Sequence, residues 1–270
     1  MLGDRGNEAW ASDVRRRSRI HWASDPAGGL AAGSEPLGSP GALSAVEAHR
    51  YREQPWMGDA FPFQSGEGAD LLEIGVGLGT DLARWASAGA RVTGIDLTRR
   101  CVDLTRERLA SEGLTGDVRI MDAERLDFQD DSFDIAYSFG VLHHVPDPAR
   151  AFREIRRVLR PGGVFLGALY NRHSYFILSM RARRLLRLEY RRESWMQRLA
   201  RVEHGDSGAA PHVRLFTRRE LSEALTAAGF QEITIHRRHL GVVRLRRVLP
   251  SAVEDALGRV AGWYLVHEAR

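Results

Sequence analysis

Residues 69–80 read ADLLEIGVGLGT, and their order decides the architecture. Ala69–Gly75 is a short apolar run ending in glycine, the pattern of a buried strand. Gly75, Gly77 and Gly79 then allow a tight turn and a close approach of backbone to a ligand. Asp81 begins a helix predicted to end at Ala88. A glycine turn between a strand and a helix is the context in which such a loop can hold a cofactor.

Working outward, the same alternation continues. Strands are predicted over 91–95, 117–121, 133–139, 163–170, 230–237 and 263–268, and helices over 98–111, 148–159 and 217–228. Val102, Thr105 and Leu109 share one face of the first of these helices. Asp147 and Pro148 start the second, and its apolar residues Ala151, Phe152, Ile155, Val158 and Leu159 recur at helical spacing. The third opens with a capping box, Thr217 and Glu220, and ends at Gly229. The expected fold is α/β: a Rossmann-like, mostly parallel sheet with helices on both faces.

Two stretches leave this rhythm, residues 1–60 and 171–216. Between 23 and 42, 16 of 20 residues are Gly, Ser, Pro or Ala. Such a stretch buries little and is expected to be a loop or mobile arm. A short polar segment with Trp10 and Trp22 precedes it, and a helix over Leu43–Arg52 is predicted after it. The expected division is an N-terminal arm over 1–60 and a main domain over 61–270 carrying an inserted cap, 171–216. Ligands of open α/β sheets bind beyond the carboxyl ends of the strands, so arm and cap are read as a lid.

Composition narrows the chemistry. The chain has 270 residues, 43% apolar and 27% charged, close to globular averages. The single cysteine, Cys101, excludes a disulfide framework and a multi-cysteine zinc site. All 39 basic residues are arginine. That removes lysine Schiff bases and the Walker-type phosphate lysine. No apolar run is long enough to span a membrane, and none follows Arg15, Arg16 and Arg17 as a secretory signal would require. A cytoplasmic location with no membrane partner is expected. The net charge is only +4, and arginine in place of lysine reads as coding bias rather than as a nucleic-acid surface.

The loop reads G-x-G-x-G and carries Glu73 two residues before its first glycine. A carboxylate there would repel a dinucleotide pyrophosphate. It suits a ligand with a cationic end and no phosphate, which describes S-adenosylmethionine (SAM). Asp96 closes the second strand about 20 residues on, where a carboxylate can accept from both ribose hydroxyls. NAD, or a glycine turn with no ligand, remains the alternative for the loop alone. After the third strand, Asp122-Ala123-Glu124 offers a carboxylate to an adenine amine.

These motifs, with Asp131-Ser-Phe-Asp134, Val141-Leu-His143-His144 and Arg157-Val-Leu-Arg-Pro161-Gly-Gly163, resemble the class I SAM-dependent methyltransferases. Within them they are similar to the small-molecule branch of the ubiquinone and menaquinone biosynthesis enzymes. The resemblance is strong over 69–170 and weaker over 211–237. It implies a seven-stranded sheet with a reversed last strand. It further implies that Glu73, Gly75 and Gly77 line the methionine and ribose part of SAM, and that Asp96 holds the ribose with Leu97 against the adenine. Asp122 takes the adenine amine with Ala123 beside it, and Ser138 and Phe139 face the methionine end. His143 stands near the sulfonium or the substrate.

Methyl transfer needs a general base only when the acceptor holds its proton at neutral pH. The candidates are His143, Tyr170, His173 and His204, set against the reading that the adjacent histidines only pack a turn. His204, Asp206 and His212 are weighed as a metal site, but polar lid residues are the default and no metal is assigned. In the arm, Trp22, Tyr51 and Trp56 could close over the ligand, and Glu47-Ala-His-Arg50-Tyr51 fits a helix lying across the cofactor, with Tyr51 taken as the contact. Between 181 and 201 the insertion is net +6 with leucines and aromatics interleaved. That is either a solvated face or a cap for an anionic substrate, read through forked arginine contacts. Strand four ends Ser138-Phe139-Gly140-Val141 rather than in the Asn/Asp-Pro-Pro-aromatic tetrad of nucleobase-amine enzymes.

The leading expectation is a bacterial methyltransferase of specialised metabolism acting on a small-molecule acceptor, an anionic one if the arginine-rich cap reads it, as a monomer or homodimer, without nucleic acid. The alternatives are an RNA or protein methyltransferase docking through the arginine-rich insertion, and a non-catalytic SAM-fold subunit.

Overall fold

A computed structural model describes residues 2–186, 209–240 and 250–270. Seven strands form one sheet: β1 (Asp70–Ile74), β2 (Arg91–Asp96), β3 (Gly116–Ile120), β4 (Phe133–Phe139), β5 (Leu159–Tyr170), β6 (Ile233–Arg238) and β7 (Tyr264–Ala269). Their order is β3-β2-β1-β4-β5-β7-β6. β1 to β5 run parallel, whereas β7 is antiparallel to both of its neighbours. The chain steps outward from β1 to β3 and then returns to β4 on the other side of β1. That reversal opens a crevice at the carboxyl ends of β1 and β4.

The central strands are buried on both faces, and alternate residues feed two cores. Leu71, Ile135, Tyr137 and Leu166 pack into one, with Trp85, Val102 and Leu109. Leu72, Ala136 and Phe165 pack into the other, with Phe152, Ile155, Leu221 and Leu225.

The helices start where their capping residues dictate. In α5 (Arg99–Ser111), the Thr98 side chain accepts from the Cys101 N–H. In α6 (Pro148–Val158), Asp147 accepts from the Arg150 N–H. The capping box of Thr217 and Glu220 opens α8 (Arg218–Ala227). The remaining helices are α4 (Thr80–Ser87), α7 (Tyr175–Leu186) and α9 (Ser251–Ala261). Among the described residues no helix is long and apolar enough to cross a membrane.

The N-terminal region differs from its expected form. Residues expected as a short polar segment form a long helix, α1 (Leu2–Ser24). Val14, Ser18 and His21 are its buried stripe. The spacing of that stripe is helical, but two of its three members are polar, so hydropathy conceals it. The Gly/Pro/Ser/Ala-rich stretch contains a short 3-10 turn, Gly29–Ala32, and leads into α2 (Pro40–Glu53) and a single turn, α3 (Met57–Ala60). It is seated rather than free. Arg108 of α5 is fully buried and donates to the Leu43 carbonyl of α2 (2.8 Å) and to the Leu78 carbonyl of the glycine loop (2.9 Å).

Candidate active site

The crevice is a cavity in two connected parts. The inner part, about 840 Å³ with its open mouth included, lies between the ends of β1, β2 and β4 and the α1 helix. The outer part lies between the glycine loop and α2. Trp22, Gly75, Gly77 and Phe139 border both.

The glycine loop is shaped by its surroundings. Gly75 has φ +80°, and a Cβ there would lie 2.2 Å from a Val141 methyl. Gly79 has φ +70° and faces Thr105 at 2.8 Å from where a Cβ would stand. At Gly77, φ is +54° but a Cβ would meet nothing within 4 Å, because this residue faces the cavity. Two of the three glycines are therefore required by packing as well as by conformation.

Asp96 is held by three donors. The Gly77 N–H reaches Oδ2 at 3.2 Å, and the Thr98 N–H and hydroxyl both reach Oδ1 at 2.9 Å. Burial pushes its pKa up, and the hydrogen bonds from Thr98 and Gly77 pull against that. The result is a fixed carboxylate at the inner cavity wall, with Leu97 and Ala123 alongside.

Glu73 borders the outer cavity and is buried, and its Oε2 has no hydrogen-bond partner among the described residues. Burial raises its pKa well above the usual carboxylate range; Asp81 and Asp96 add repulsion, and Arg50 opposes them. A buried carboxyl group with an unpartnered oxygen at a cavity wall is a site for a cation.

Arg50 supplies the complementary charge. Its Nε donates to Asp81 Oδ1 at 2.8 Å, and a second guanidinium nitrogen binds Asp81 Oδ2. The guanidinium lies 4.5 Å over the Phe139 ring. Asp81 also accepts from the hydroxyls of Tyr137 (2.8 Å) and Tyr51 (3.0 Å). This corrects the expectation for Tyr51: it packs behind Asp81 and lines neither cavity, and its neighbour Arg50 takes the place expected of it. Ser138 is corrected too. Its hydroxyl donates to the Ile74 carbonyl (3.1 Å) inside the sheet, while Phe139, on the opposite side of the strand, borders the cavity.

At the far end of the inner cavity stands Asp122. Its Oδ1 accepts from the Glu124 N–H (3.0 Å) and its Oδ2 from Arg15 Nε (2.7 Å). Arg15 also binds Glu124. Nothing in the run Arg15–Arg17 distinguishes the first arginine, so sequence reasoning passes over it.

The base candidates separate. His143 is fully buried and borders neither cavity, and neither ring nitrogen has a hydrogen-bond partner among the described residues. Its ring packs 3.8 Å from that of Tyr170. Burial, with His144 and His212 nearby, drives its pKa far below the usual histidine value. His144, by contrast, does border the inner cavity, and its Nδ1 lies 2.6 Å from the His212 carbonyl. Burial lowers its pKa to about 4. Tyr170 borders the outer cavity between the rings of His143 and Trp263. His173 is exposed, lines neither cavity, and donates its N–H to Asn171 Oδ1. His204 and Asp206, with most of the basic insertion, lie outside the described residues.

Residues 72–167 match a methyltransferase domain family. The stretch from β1 into β5 thus resembles a SAM-dependent methyltransferase domain. A sterol 4-C-methyltransferase of Caenorhabditis elegans is 32% identical over 102 residues, 37% of this chain and 30% of that protein. A ubiquinone biosynthesis O-methyltransferase of Idiomarina loihiensis is 28% identical over 174 residues, 63% of this chain and 64% of that one. A SAM-dependent methyltransferase structure from Mesorhizobium loti has the same fold, with TM-score 0.54 at 22% identity, covering 80% of this chain and 96% of that chain. The chain thus spans 30% and 64% of the two curated relatives.

SAM is the cofactor of the methyltransferases that the chain resembles, and the residues present fit it. The unpartnered oxygen of Glu73 and the guanidinium of Arg50 match the ammonium and carboxylate of a methionine end. The anchored Asp96 matches a ribose diol. In the loop between them, the Gly77 N–H is already given to Asp96.

Proposed function

We propose that this protein transfers the methyl group of SAM to a small-molecule acceptor in bacterial specialised metabolism. The observation that carries the reading is the unpartnered Glu73 carboxylate beside the three-fold-anchored Asp96 at the carboxyl ends of the strands. Bound SAM supplies a methyl group on an electron-poor sulfonium. Glu73 and Arg50 hold the zwitterionic end, Asp96 the ribose, and Leu97, Ala123 and Asp122 the adenine. Phe139, Trp22, Tyr170 and Tyr264 wall the remaining space and exclude water.

Small-molecule acceptors are supported by the relatives, whose names specify sterol and ubiquinone-pathway substrates. They are also supported by the walls, where Trp22, Phe139, Tyr170 and Tyr264 stand beside two arginines, Arg15 and Arg50, that are each already paired with a carboxylate. Most of the rate comes from positioning, because in-line displacement asks little covalent chemistry of the protein. Of the histidines, His144 is the one placed to take a proton, and it is neutral at pH 7. Tyr170, at the outer wall, is the second candidate. Residues 1–60 act as the lid over a main domain spanning 61–270; of the inserted cap, 171–216, residues 187–208 lie outside the described residues.

Calorimetry with S-adenosylhomocysteine, followed by mass-spectrometric assay against a panel of phenols, amines and carboxylic acids, tests this. Binding with transfer to a panel member is expected. Absence of S-adenosylhomocysteine binding would leave a non-catalytic subunit. Transfer to RNA alone, weakening steeply with salt, would replace the small-molecule reading with docking on the arginine-rich insertion.

A further inference from the structure

We infer that Arg15, carried by the arm helix α1, is a positioning residue that sets Asp122 to read the adenine amine, so that arm closure and recognition of the cofactor's base are one event. The inference rests on the SAM reading above.

Three observations carry it. Arg15 and Asp122 both border the inner cavity at the end away from Glu73. Their contact spans 107 residues of sequence, so it exists only while α1 is seated. The guanidinium is also forked across two carboxylates, Asp122 and Glu124. Such a fork fixes a carboxylate's orientation as well as its charge.

The chemistry of the cluster explains why an arginine is needed. Glu124 is buried, and its other oxygen, Oε1, accepts from the Asp147 N–H at 2.6 Å. Asp122 stands two residues away, with Oδ1 facing the Glu124 N–H. Two carboxylates this close repel each other, and without Arg15 both charges would stand uncompensated at the cavity edge. With Arg15 on one side of Asp122, its remaining lone pairs are acceptors only. An exocyclic amine is a donor and completes the set. A carbonyl in the same place would face Asp122 acceptor to acceptor.

α1 is seated by other contacts as well. Arg100 donates to the Ala23 carbonyl (2.8 Å), and the Trp22 ring lies 5.3 Å from that of His144. Removing the Arg15 donors therefore leaves the helix other attachments, and the role of Arg15 in base reading separates from its role in docking.

The test compares two ligands, S-adenosylhomocysteine and S-inosylhomocysteine, which differ by an amine against a carbonyl at the same ring carbon and by the proton this places on the adjoining ring nitrogen. The wild-type chain is expected to bind the adenine form more tightly by at least about tenfold, the scale of one hydrogen bond to a charged group. Arg15→Met keeps the aliphatic bulk and removes the donors. It is expected to weaken the adenine form by about tenfold and leave the inosine form nearly unchanged, so that discrimination collapses. Arg15→Lys should restore part of it. Arg16→Met, at an exposed neighbour paired only locally with Asp13, should change neither ligand. A purely structural role would weaken both ligands equally, and that result overturns the inference. So does a wild-type chain that binds both forms alike. If the wild type binds neither, the SAM reading itself falls.

Discussion

The two walls of the cavity are built by different means. The sheet wall, from the glycine loop through Asp96 to Phe139, is set by local geometry: positive φ at Gly75, Gly77 and Gly79, and close packing on Val141 and Thr105. The arm wall is set by charge pairing over long sequence distances. Arg50 reaches Asp81 across 31 residues, and Arg15 reaches Glu124 across 109. Geometry of the first kind persists with or without a ligand. Ion pairs at a cavity edge are screened by salt and can be remade, so the arm is the wall that can move.

The sharpest way to break this contrast is to remove the arm helix. Without residues 1–24 the cavity loses Arg15, Ser18 and Trp22 from its lining. The sheet begins at Asp70 and keeps both of its cores. Turnover is expected to fall at least about a hundredfold, because the reacting groups lose both their positioning and their shelter from water. Circular dichroism and thermal melting should still show a cooperative α/β fold. A truncated chain with full turnover would make the arm dispensable.

Within the sheet wall, Gly75 and Gly77 should part company. Gly75→Ala meets Val141 at 2.2 Å in addition to its left-handed backbone. Overpacking and backbone strain together should cost roughly 2–4 kcal/mol of stability. Gly77→Ala meets no neighbour. It should cost only the strain, about 1 kcal/mol, while its methyl intrudes on the ligand. Denaturant unfolding of the two variants would show equal losses if packing on Val141 were unimportant.

Asp96→Ala should weaken S-adenosylhomocysteine at least about tenfold, since hydrogen bonds to a charged group contribute about 1.5–3 kcal/mol each. Unchanged affinity in a folded Asp96→Ala chain would remove Asp96 from the site. Ionic strength sharpens the comparison further: raising salt should speed hydrogen exchange in α1 and leave β1 and β4 unaffected.

The contrast also governs what was legible in the sequence. The sheet wall could be read because each of its features is carried by neighbouring residues: a strand of apolar residues, glycines in a row, a carboxylate closing the next strand. The strands followed from these features, and the reversal of β7 from the resemblance alone. The arm could not be read in this way. Ser18 and His21 are polar members of a buried stripe, and Arg15 looks like its neighbours. Tyr51 is the expected cover in its helix, yet one residue along a helix turns the side chain by about 100°, and it is Arg50 that borders the cavity. Ser138 illustrates the strand version of the same error. A strand buried on both faces gives no hydropathic sign of which residues reach the cavity at its end.

The smallest effect is expected at the residue the sequence makes most conspicuous. His143 lies under the cavity floor against Tyr170 and lacks partners for both ring nitrogens, so His143→Phe should alter turnover by less than about 1 kcal/mol of activation free energy. Its trace should instead be found in acid stability. Burial holds His143 far below its usual value, and His144 and His212 at about 4, while in the unfolded chain each titrates near 6.5. Between those values the unfolded state binds more protons than the folded one. Stability therefore rises with pH across that window and is lost as pH falls from about 6.5 toward 4. His143→Phe deletes one of four histidines held low, the fourth being His267, which burial lowers to about 3; it should flatten the decline of melting temperature with acid, while leaving stability at pH 8 equal or higher. A variant with the same acid slope as the wild type would mean that His143 is already solvated or paired in the fold. A variant that folds normally but loses turnover a hundredfold would return His143 to the chemistry.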